Sequence, residues 1–191
     1  MNEQITALRV NIKRLNEHAV IPQYAKVGDS GFDLVAVEDT IIEPGETAKV
    51  PVGLAFELPA GYELQIRPRS GITSKTKLRV QFGTVDSGYR GEVAVTVDNI
   101  AQKEGSGYVI KYDHLDGTHS EVPKHICEDK FHGEYVDYEK VPYKTYLIRK
   151  GDRIAQGVIA PVATATFTEV DTLSETERGD GGFGSSGVKV E

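Results

Sequence analysis

The chain has 191 residues, of which 39% are hydrophobic and 27% charged, the composition of a soluble globular protein. That length most simply makes one domain with a buried core. The net charge of -7 argues against nucleic-acid and membrane partners, because both are anionic and need a basic surface. Cys127 is the single cysteine, so an internal disulfide is excluded. The first residues lack the features of a signal peptide and no apolar run is long enough to span a membrane, so we expect a cytoplasmic protein.

Short strands separated by turns are predicted along most of the chain. Leu8, Val10 and Ile12 alternate with polar residues, which is the period of a half-buried strand. Further strands are predicted over residues 49–52, 62–66, 91–97, 146–148 and 153–162. Many short strands at this spacing are typical of a sandwich, a jelly roll or a barrel.

Residues 101–143 and the tail from Glu175 break this rhythm. The first segment is rich in charged residues, Tyr and His, and we interpret it as an insertion between two strands, with a short helix at residues 120–130. The tail contains five glycines with an arginine, a phenylalanine and two serines. Such a composition is typical of a disordered terminus, but it also suits a mobile clamp on a phosphate and an aromatic base.

Residues 83–93 are the stretch on which the functional hypothesis depends. Asp86 lies in a turn punctuated by glycines, Tyr89 follows three residues later, and an alternating run begins at Val93. This pattern predicts a hairpin that carries a pocket, in which Asp86 can take a proton near neutral pH. An ordinary Asp-containing turn is the alternative, because Asp and Gly are common turn residues.

Three further clusters combine glycine with charged or hydroxyl side chains. Residues 67–71 supply two arginines, a serine and a glycine at a strand end, a composition suited to a phosphate. Residues 151–156 place a turn, a possible ion pair and Gln156 at the start of another strand. Near the amino terminus, Asp33 lies beside a glycine in residues 30–36. Each cluster alone is a weak signal.

In this order the five clusters resemble the five motifs of the trimeric dUTPase family. The resemblance rests on Gly31, Asp33, Arg69, Ser70, Gly71, Asp86, Tyr89, Gly151, Asp152, Gln156 and residues 178–187. It implies an all-β, distorted jelly-roll fold of the β-clip type, assembled as a homotrimer with active sites between subunits. The catalytic core would span residues 1–174, interrupted by the insertion at 101–143, and residues 175–191 would be a flexible arm that completes a neighbouring site.

The resemblance also implies a reaction, the hydrolysis of dUTP to dUMP and pyrophosphate, which limits uracil incorporation into DNA. Asp86 would activate a water that attacks the α-phosphate, with Gln156 helping to place it. Mg2+ would bind the triphosphate without a direct protein ligand, and Asp33 would be an outer-shell partner of the metal or of the phosphate-site arginines. The implied substrate-binding residues are Arg69, Ser70, Gly71, Gly83, Thr84, Val85, Tyr89, Arg178, Phe183, Gly184, Ser185 and Ser186.

Nucleotide specificity is expected from the turn at residues 83–85, whose backbone would pair with the uracil edge. A narrow turn would reject a 5-methyl group, and Tyr89 would exclude a ribose 2′-hydroxyl. The family often has an asparagine about six residues before the aspartate, where this chain has Val80 followed by Gln81. Base recognition then rests on the main chain alone or on Gln81.

The insertion resembles those of certain bacteriophage dUTPases, in which the enzyme also binds a regulatory protein. A nucleotide-sensing interaction protein is therefore the alternative function, and a decorated surface loop is the simpler interpretation. The insertion and its flank have tyrosines for recognition, Tyr108, Tyr112, Tyr135, Tyr138, Tyr143 and Tyr146. It also contains His114, His119, His125, Cys127 and His132, whose spacing matches no compact zinc signature.

A dCTP deaminase is the remaining enzymatic alternative, because that family shares the fold and the trimer. A deaminase of this kind needs a carboxylate, usually a glutamate, that activates water at the base. This chain instead has the dUTPase-type Asp86 and Tyr89. Shared folds host different chemistries, so the products of the reaction decide between the two.

Overall fold

The computed structural model describes residues 8–103, 107–129 and 133–181, with the backbone alone for residues 124–129 and 133–138. Within these ranges the chain forms seventeen strands and one six-residue helix, so the predicted all-β class is confirmed. No helix in the described part of the chain has both the length and the apolar composition needed to cross a membrane.

The strands are numbered in chain order. They are β1 Asn11–Arg14, β2 Phe32–Val35, β3 Thr40–Ile42, β4 Thr47–Pro51, β5 Leu54–Glu57, β6 Tyr62–Arg67, β7 Leu78–Val80, β8 Gly83–Val85, β9 Ala94–Asn99, β10 Tyr108–Val109, β11 Lys111–Asp113, β12 His119–Glu121, β13 Lys124–Asp129, β14 Gly133–Tyr138, β15 Val141–Pro142, β16 Tyr146–Ile148 and β17 Arg153–Pro161. The helix α1 is Ser70–Lys75.

Two sheets carry most of the core. One has the order β2-β17-β6-β8 and the other the order β4-β9-β7, and every neighbouring pair in them is antiparallel. Strand β9 alternates between half-buried and buried residues along its whole length, as a strand with one face on the core does. Phe32 and Phe56 stack between the elements at a centroid distance of 6.2 Å. The core is thus closed by side chains from strands distant in sequence.

The predicted helix at residues 120–130 is wrong. That segment forms β12 and β13, and β13 pairs with β14 from Lys124↔Tyr138 to Asp129↔Gly133. The single described helix is α1, inside one of the sequence clusters. Strand pairing with a β-prone partner outweighed the helical preference of the charged residues, because intrinsic propensity is a weak determinant against tertiary pairing.

The predicted hairpin at residues 83–93 is also wrong in its pairing. Strand β8 pairs with β6, whereas β9 belongs to the other sheet. The backbone of Val93, just before β9, donates to the carbonyl of Leu54 at 2.9 Å and accepts from Val52 at 3.2 Å. The loop between β8 and β9 therefore passes from one sheet to the other, and Asp86 is exposed on it.

The segment predicted as an insertion is integrated into the core on one side. Strands β12, β11, β16 and β3 form one sheet, in which β11 pairs in parallel with β16 through Asp113↔Tyr146. Tyr112 and Tyr146 are buried, which removes them from the predicted recognition surface. Among the described strands, β13 and β14 pair only with each other.

Candidate active site

A cationic cavity of about 500 Å³ opens where α1, the end of β16 and the start of β17 meet. Four of its side chains are cationic and two are anionic, and the lining residues are Arg69, Ser70, Gly71, Ile72, Lys75, Leu115, Asp116, Arg149, Gly151, Asp152, Arg153 and Gln156. Two sequence clusters more than 70 positions apart, at residues 67–71 and 151–156, are brought together here. Such a cavity is suited to a polyanion.

Asp33 organises the arginines of this cavity. Its Oδ1 lies 3.1 Å from Nε of Arg69, and its Oδ2 lies 3.5 Å from Nε of Arg153. Arg69 also donates through Nη1 to the carbonyl of Arg153 at 3.0 Å. Because one carboxylate holds two guanidinium groups, both cations have a fixed place at the cavity. The contacts agree with one of the two predicted roles of Asp33, that of a partner of the arginines.

Gln156 occupies the centre of the sheet beside these groups. It is the cross-strand partner of Asp33 on β2 and of Arg67 on β6. A shift of register between Arg153 and Ala155 marks a bulge in β17, and bulges re-aim side chains next to functional sites. Gly31 packs against β17, since an added Cβ there would meet the carbonyl oxygen of Gly157 at 3.0 Å. Glycine thus allows the close approach that holds this corner.

Helix α1 presents Ser70 and Gly71 to the cavity. Ile72 is buried and anchors the helix to the core. Thr76 caps the carboxyl end of the helix, because its hydroxyl donates to the carbonyl of Ile72 at 2.8 Å and its backbone N–H donates to the same carbonyl. The short helix is therefore fixed at its carboxyl end, and the hydroxyl and backbone of its first residues line the cavity wall.

Asp86 and Tyr89 lie elsewhere, in the loop between β8 and β9. Both are exposed, and neither lines the cationic cavity of the same chain. The loop is ordered by its own contacts, because the Tyr89 hydroxyl donates to the carbonyl of Glu92 at 3.1 Å and Arg90 donates to that of Ser87 at 2.6 Å. An added Cβ at Gly91 would overlap the Tyr89 hydroxyl. The glycine therefore sets where the tyrosine ring lies.

The residues expected to read the base are placed near this loop. The backbone of β8 pairs with β6, and an added Cβ at Gly83 would come within 3.2 Å of Ile66. The Gln81 amide donates to Asp98 on β9. Val80 packs against the main core. The Gln81 side chain is thus turned towards Asp98 on β9, and Val80 has no side-chain amide.

The carboxyl-terminal tail is described as far as residue 181. Arg178 donates through Nε to the carbonyl of Gly181 at 2.9 Å, and it does not line the cavity. Phe183, Gly184, Ser185 and Ser186, predicted to bind the substrate, lie outside the described residues. Phe167 and Leu173, in the segment before the tail, are 93% and 87% exposed.

Sequence reasoning missed several residues of the cavity wall, namely Lys75, Leu115, Asp116 and Arg149. Arg149 directly precedes the turn at Gly151, and this proximity was the available signal. Leu115 and Asp116 carried no signal, because they lie in the inserted segment more than 30 positions away from that turn.

Among the described side chains, no group of three or more His, Cys, Asp or Glu is placed to hold a metal ion, and of the histidines noted in the insertion only the side chains of His114 and His119 are described. His114 is buried, and its Nδ1 lies 3.1 Å from the carbonyl oxygen of Leu147. His119 is exposed. The side chains of His125 and Cys127, and His132 as a whole, lie outside the described part of the chain.

A family model described as dUTPase matches residues 17–105 and 142–187, which is more than half of the chain. The chain belongs to the dUTPase family. Among relatives with the dUTPase family name, the deoxyuridine 5′-triphosphate nucleotidohydrolase of Nautilia profundicola is 41% identical over 94% of this chain and 99% of its own length. That of Helicobacter hepaticus is 39% identical over 95% of this chain and 90% of its own length.

Solved dUTPase structures have the same fold. The dUTPase of Staphylococcus bacteriophage 80alpha with dUPNHPP superposes with a TM-score of 0.82 at 31% identity, covering 94% of this chain and 99% of that one. The dUTPase of phage phi11 of S. aureus, described with a species-specific insert, gives a TM-score of 0.74 at 26% identity over 88% of this chain and 99% of that one. The predicted dUTPase-like jelly-roll fold is confirmed.

Proposed function

We propose that this chain hydrolyses dUTP to dUMP and pyrophosphate. The observation that carries the proposal is the meeting of residues 69–71 and 151–156 around one cationic cavity, in a member of the dUTPase family. Arginine forks and a serine hydroxyl suit phosphate oxygens, and positioning with charge neutralisation supplies most of the catalysis of phosphoryl transfer. The bond between the α- and β-phosphates would break by attack of a water molecule.

In this mechanism Asp86 is the general base that orients and deprotonates the water. The Asp86 carboxylate is exposed in the loop between β8 and β9, so a water molecule can reach it and give up a proton to it. Gln156 helps to place that water, and Ser70, Arg69 and Gly71 bind the phosphates. Asp33 then acts by fixing Arg69 and Arg153, because both of its oxygens are taken by arginines.

Base recognition is assigned to the main chain of Gly83, Thr84 and Val85. The engagement of Gln81 with Asp98 supports this choice over recognition by the Gln81 amide. Tyr89, set in place by Gly91, would exclude a ribose 2′-hydroxyl, and the tight packing of Gly83 on Ile66 gives the rigidity that steric rejection needs.

Mg2+ is the expected metal, and a structural Mg(II) ion is described in a phage phi11 dUTPase. In this chain the carboxylates nearest the cavity, Asp33, Asp116 and Asp152, are all engaged by arginines. That donor set fits a metal held by the phosphates themselves, with no direct protein ligand. When bound there, Mg2+ shares the negative charge of the triphosphate.

The active form is proposed to be a homotrimer with shared sites. Asp86 and Tyr89 do not line the cavity of their own chain, so one chain would supply the base-binding loop and a second chain the phosphate cavity. The third chain would complete that site with its arm at residues 175–191, through Arg178 and Phe183.

Pyrophosphate release from dUTP, dTTP, dCTP and UTP with Mg2+ tests the proposal. Release from dUTP alone, with dUMP as the second product, is the expected result. Ammonia release from dCTP would instead identify the deaminase alternative. Absence of dUTP turnover by a folded trimer would contradict the hydrolase assignment.

A regulatory protein partner is the second candidate function. The family model leaves out residues 106–141, and phage dUTPases of similar structure are described as controlling transfer of virulence genes by a G protein-like mechanism. Tyr108 and Tyr143 remain exposed at the insertion and fit an aromatic contact surface. Co-purification of a host or phage protein that is lost when both tyrosines become serine would support this function, whereas unchanged co-purification would place the contact elsewhere.

A further inference from the structure

The turn that joins β11 to β12, residues 114–118, belongs to the inserted segment and reaches the cationic cavity, which is the proposed phosphate site. Strand β11 pairs in parallel with β16, and parallel strands end at the same edge of a sheet. The chain leaving β16 begins at Arg149, while the chain leaving β11 is this turn. Leu115 and Asp116 from the turn therefore line the same cavity as Arg149.

Several contacts fix this turn. The backbone N–H of Asp113 donates to the carbonyl of Thr145 at 2.9 Å, and that of His114 donates to the carbonyl of Thr118 at 2.9 Å. Leu115 is 9% exposed and belongs to the main core. Asp116 accepts from the Thr118 backbone at 2.8 Å and from its hydroxyl at 2.6 Å. The Asp116 carboxylate is thus held in place before it meets any partner outside the turn.

The Arg149 guanidinium lies between the carboxylates of Asp116 and Asp152, and Asp152 belongs to the sequence cluster at residues 151–156. Its Nη2 lies 3.0 Å from Oδ2 of Asp116 and 3.4 Å from Oδ1 of Asp152. Its Nε and Nη1 donate to no atom of the described residues. A guanidinium has five N–H donors in a planar fork, so one nitrogen can be anchored while the others remain available to an anion.

We propose that Arg149 is an additional phosphate-binding residue of the nucleotide site, and that Asp116 of the inserted turn is its positioning residue. The inference rests on the proposed function, because it deepens the account of the same cavity. It gives the inserted segment a part in substrate binding that is separate from any partner protein.

The physical alternative is that Asp116 competes with the phosphates for Arg149 and repels them, since its carboxylate adds negative charge beside them. Two observations favour positioning. The Asp116 side chain is 51% exposed, so water and salt screen its repulsion of a bound phosphate. The hydrogen bonds from Thr118, followed by that from Arg149, lower the Asp116 pKa, so the carboxylate is charged at neutral pH and can keep its pair with Arg149.

The test measures dUTP hydrolysis and the calorimetric affinity for dUPNHPP in four proteins: wild type, Arg149→Gln, Asp116→Asn and the double variant. Loss of a charge-assisted contact in Arg149→Gln should raise KM and the analogue Kd about tenfold. Loss of an exposed anchoring pair in Asp116→Asn should raise both about threefold, with kcat within about twofold of wild type. The double variant should match Arg149→Gln alone, because the two residues act through one contact.

Asp113→Asn is the matched control. Asp113 lies in the same segment and pairs with Lys144 at 3.0 Å, but neither residue lines the cavity. It should leave KM and the analogue Kd unchanged. Thr118→Val, which removes the hydroxyl that anchors Asp116, should raise KM in the same direction as Asp116→Asn. If Asp116→Asn fails to fold, the KM of Thr118→Val tests whether Asp116 positions Arg149.

Unchanged or lower KM and Kd in Asp116→Asn, or effects that add in the double variant, would overturn the inference. If the wild type bound dUPNHPP without hydrolysing dUTP, the proposed function would fail, and the pattern of analogue affinities would still decide the roles of Arg149 and Asp116. If the wild type neither bound dUPNHPP nor hydrolysed dUTP, the proposed function and the proposed roles of Arg149 and Asp116 would both be wrong.

Discussion

Asp33 shows how a single carboxylate can serve an anion-binding site. An unpaired carboxylate beside phosphates would repel them, but each Asp33 oxygen faces a different arginine. The side chain is one-quarter exposed, so its pairs are better shielded from water than those of the outer surface. Its proposed effect on the site is therefore geometric, because its two oxygens hold two cations beside the cavity.

Substitution Asp33→Asn should raise KM for dUTP about tenfold, because Arg69 and Arg153 lose the charge that holds them. The change in kcat should be smaller, since Asp33 contacts the two arginines and is not proposed to contact the attacking water. Steady-state kinetics at two salt concentrations measure the separate changes in KM and kcat. Asp39→Asn is the control, because Asp39 binds the backbone of Lys150 near the same turn and touches no arginine of the cavity.

Asp86→Asn should lower kcat about a hundredfold or more, because the amide keeps the shape of the carboxylate but cannot accept the proton. Affinity for dUPNHPP and the oligomeric state should stay as in the wild type. The exposed Glu38 lies outside the cavity, so Glu38→Gln should be fully active. Full turnover by Asp86→Asn would remove Asp86 from the catalytic step.

Among the elements, the insertion has two parts, which we expect to contribute differently to the stability of the fold. Strands β11 and β12 extend a core sheet and bury Tyr112 and Val122, whereas β13 and β14 form a separate hairpin. The sequence marked the insertion by its composition and loss of alternation. It did not reveal this division, because the parallel pairing of β11 with β16 depends on contacts across about thirty intervening residues.

Replacing residues 124–138 by a two-residue Asn-Gly turn should leave dUTP hydrolysis unchanged. Lys124 and Tyr138 are cross-strand partners, so a tight turn can close the gap. Removing residues 108–142 altogether should lower the melting temperature by several degrees, because it exposes core now covered by Tyr112 and Leu115. Thermal melts of both deletions distinguish the two parts, and equal melting temperatures would contradict the division.

Deleting residues 178–191 should abolish efficient hydrolysis while leaving the melting temperature nearly unchanged. The described end of this arm contacts mainly itself, through the bond between Arg178 and Gly181. Ordering the arm costs conformational entropy, so its closure should need a bound triphosphate. Limited proteolysis with and without dUPNHPP follows the closure. A truncated protein that unfolds or dissociates would show that the arm has a structural role.

At the scale of the whole molecule, the chain keeps its proposed base-binding loop and its phosphate cavity apart. Asp86 lies on the loop between the two sheets, and the cavity lies at the start of β17. The proposed sharing of each site between subunits would account for this separation. Under that proposal catalysis depends on assembly as well as on single side chains.

Mixing two inactive variants tests this arrangement. Asp86→Asn and Arg69→Ala should each be inactive, yet co-refolded mixtures should recover about a quarter of the wild-type sites, because random trimers join an intact loop to an intact cavity. Each variant refolded alone provides the baseline. No recovery in mixed trimers would mean that both residues act within one chain.

The sequence by itself determined the strand-rich class, the turn positions and the five clusters, because period-two alternation and Gly–Asp turns are local properties. It also gave the correct bounds of β16 at Tyr146–Ile148. Tertiary structure alone decided that β8 and β9 join different sheets, that β12 and β13 replace the predicted helix, and that Asp116 meets Arg149. These outcomes depend on pairing and packing between residues distant in sequence, whose free energy outweighs local propensity and leaves no periodic signal in the chain.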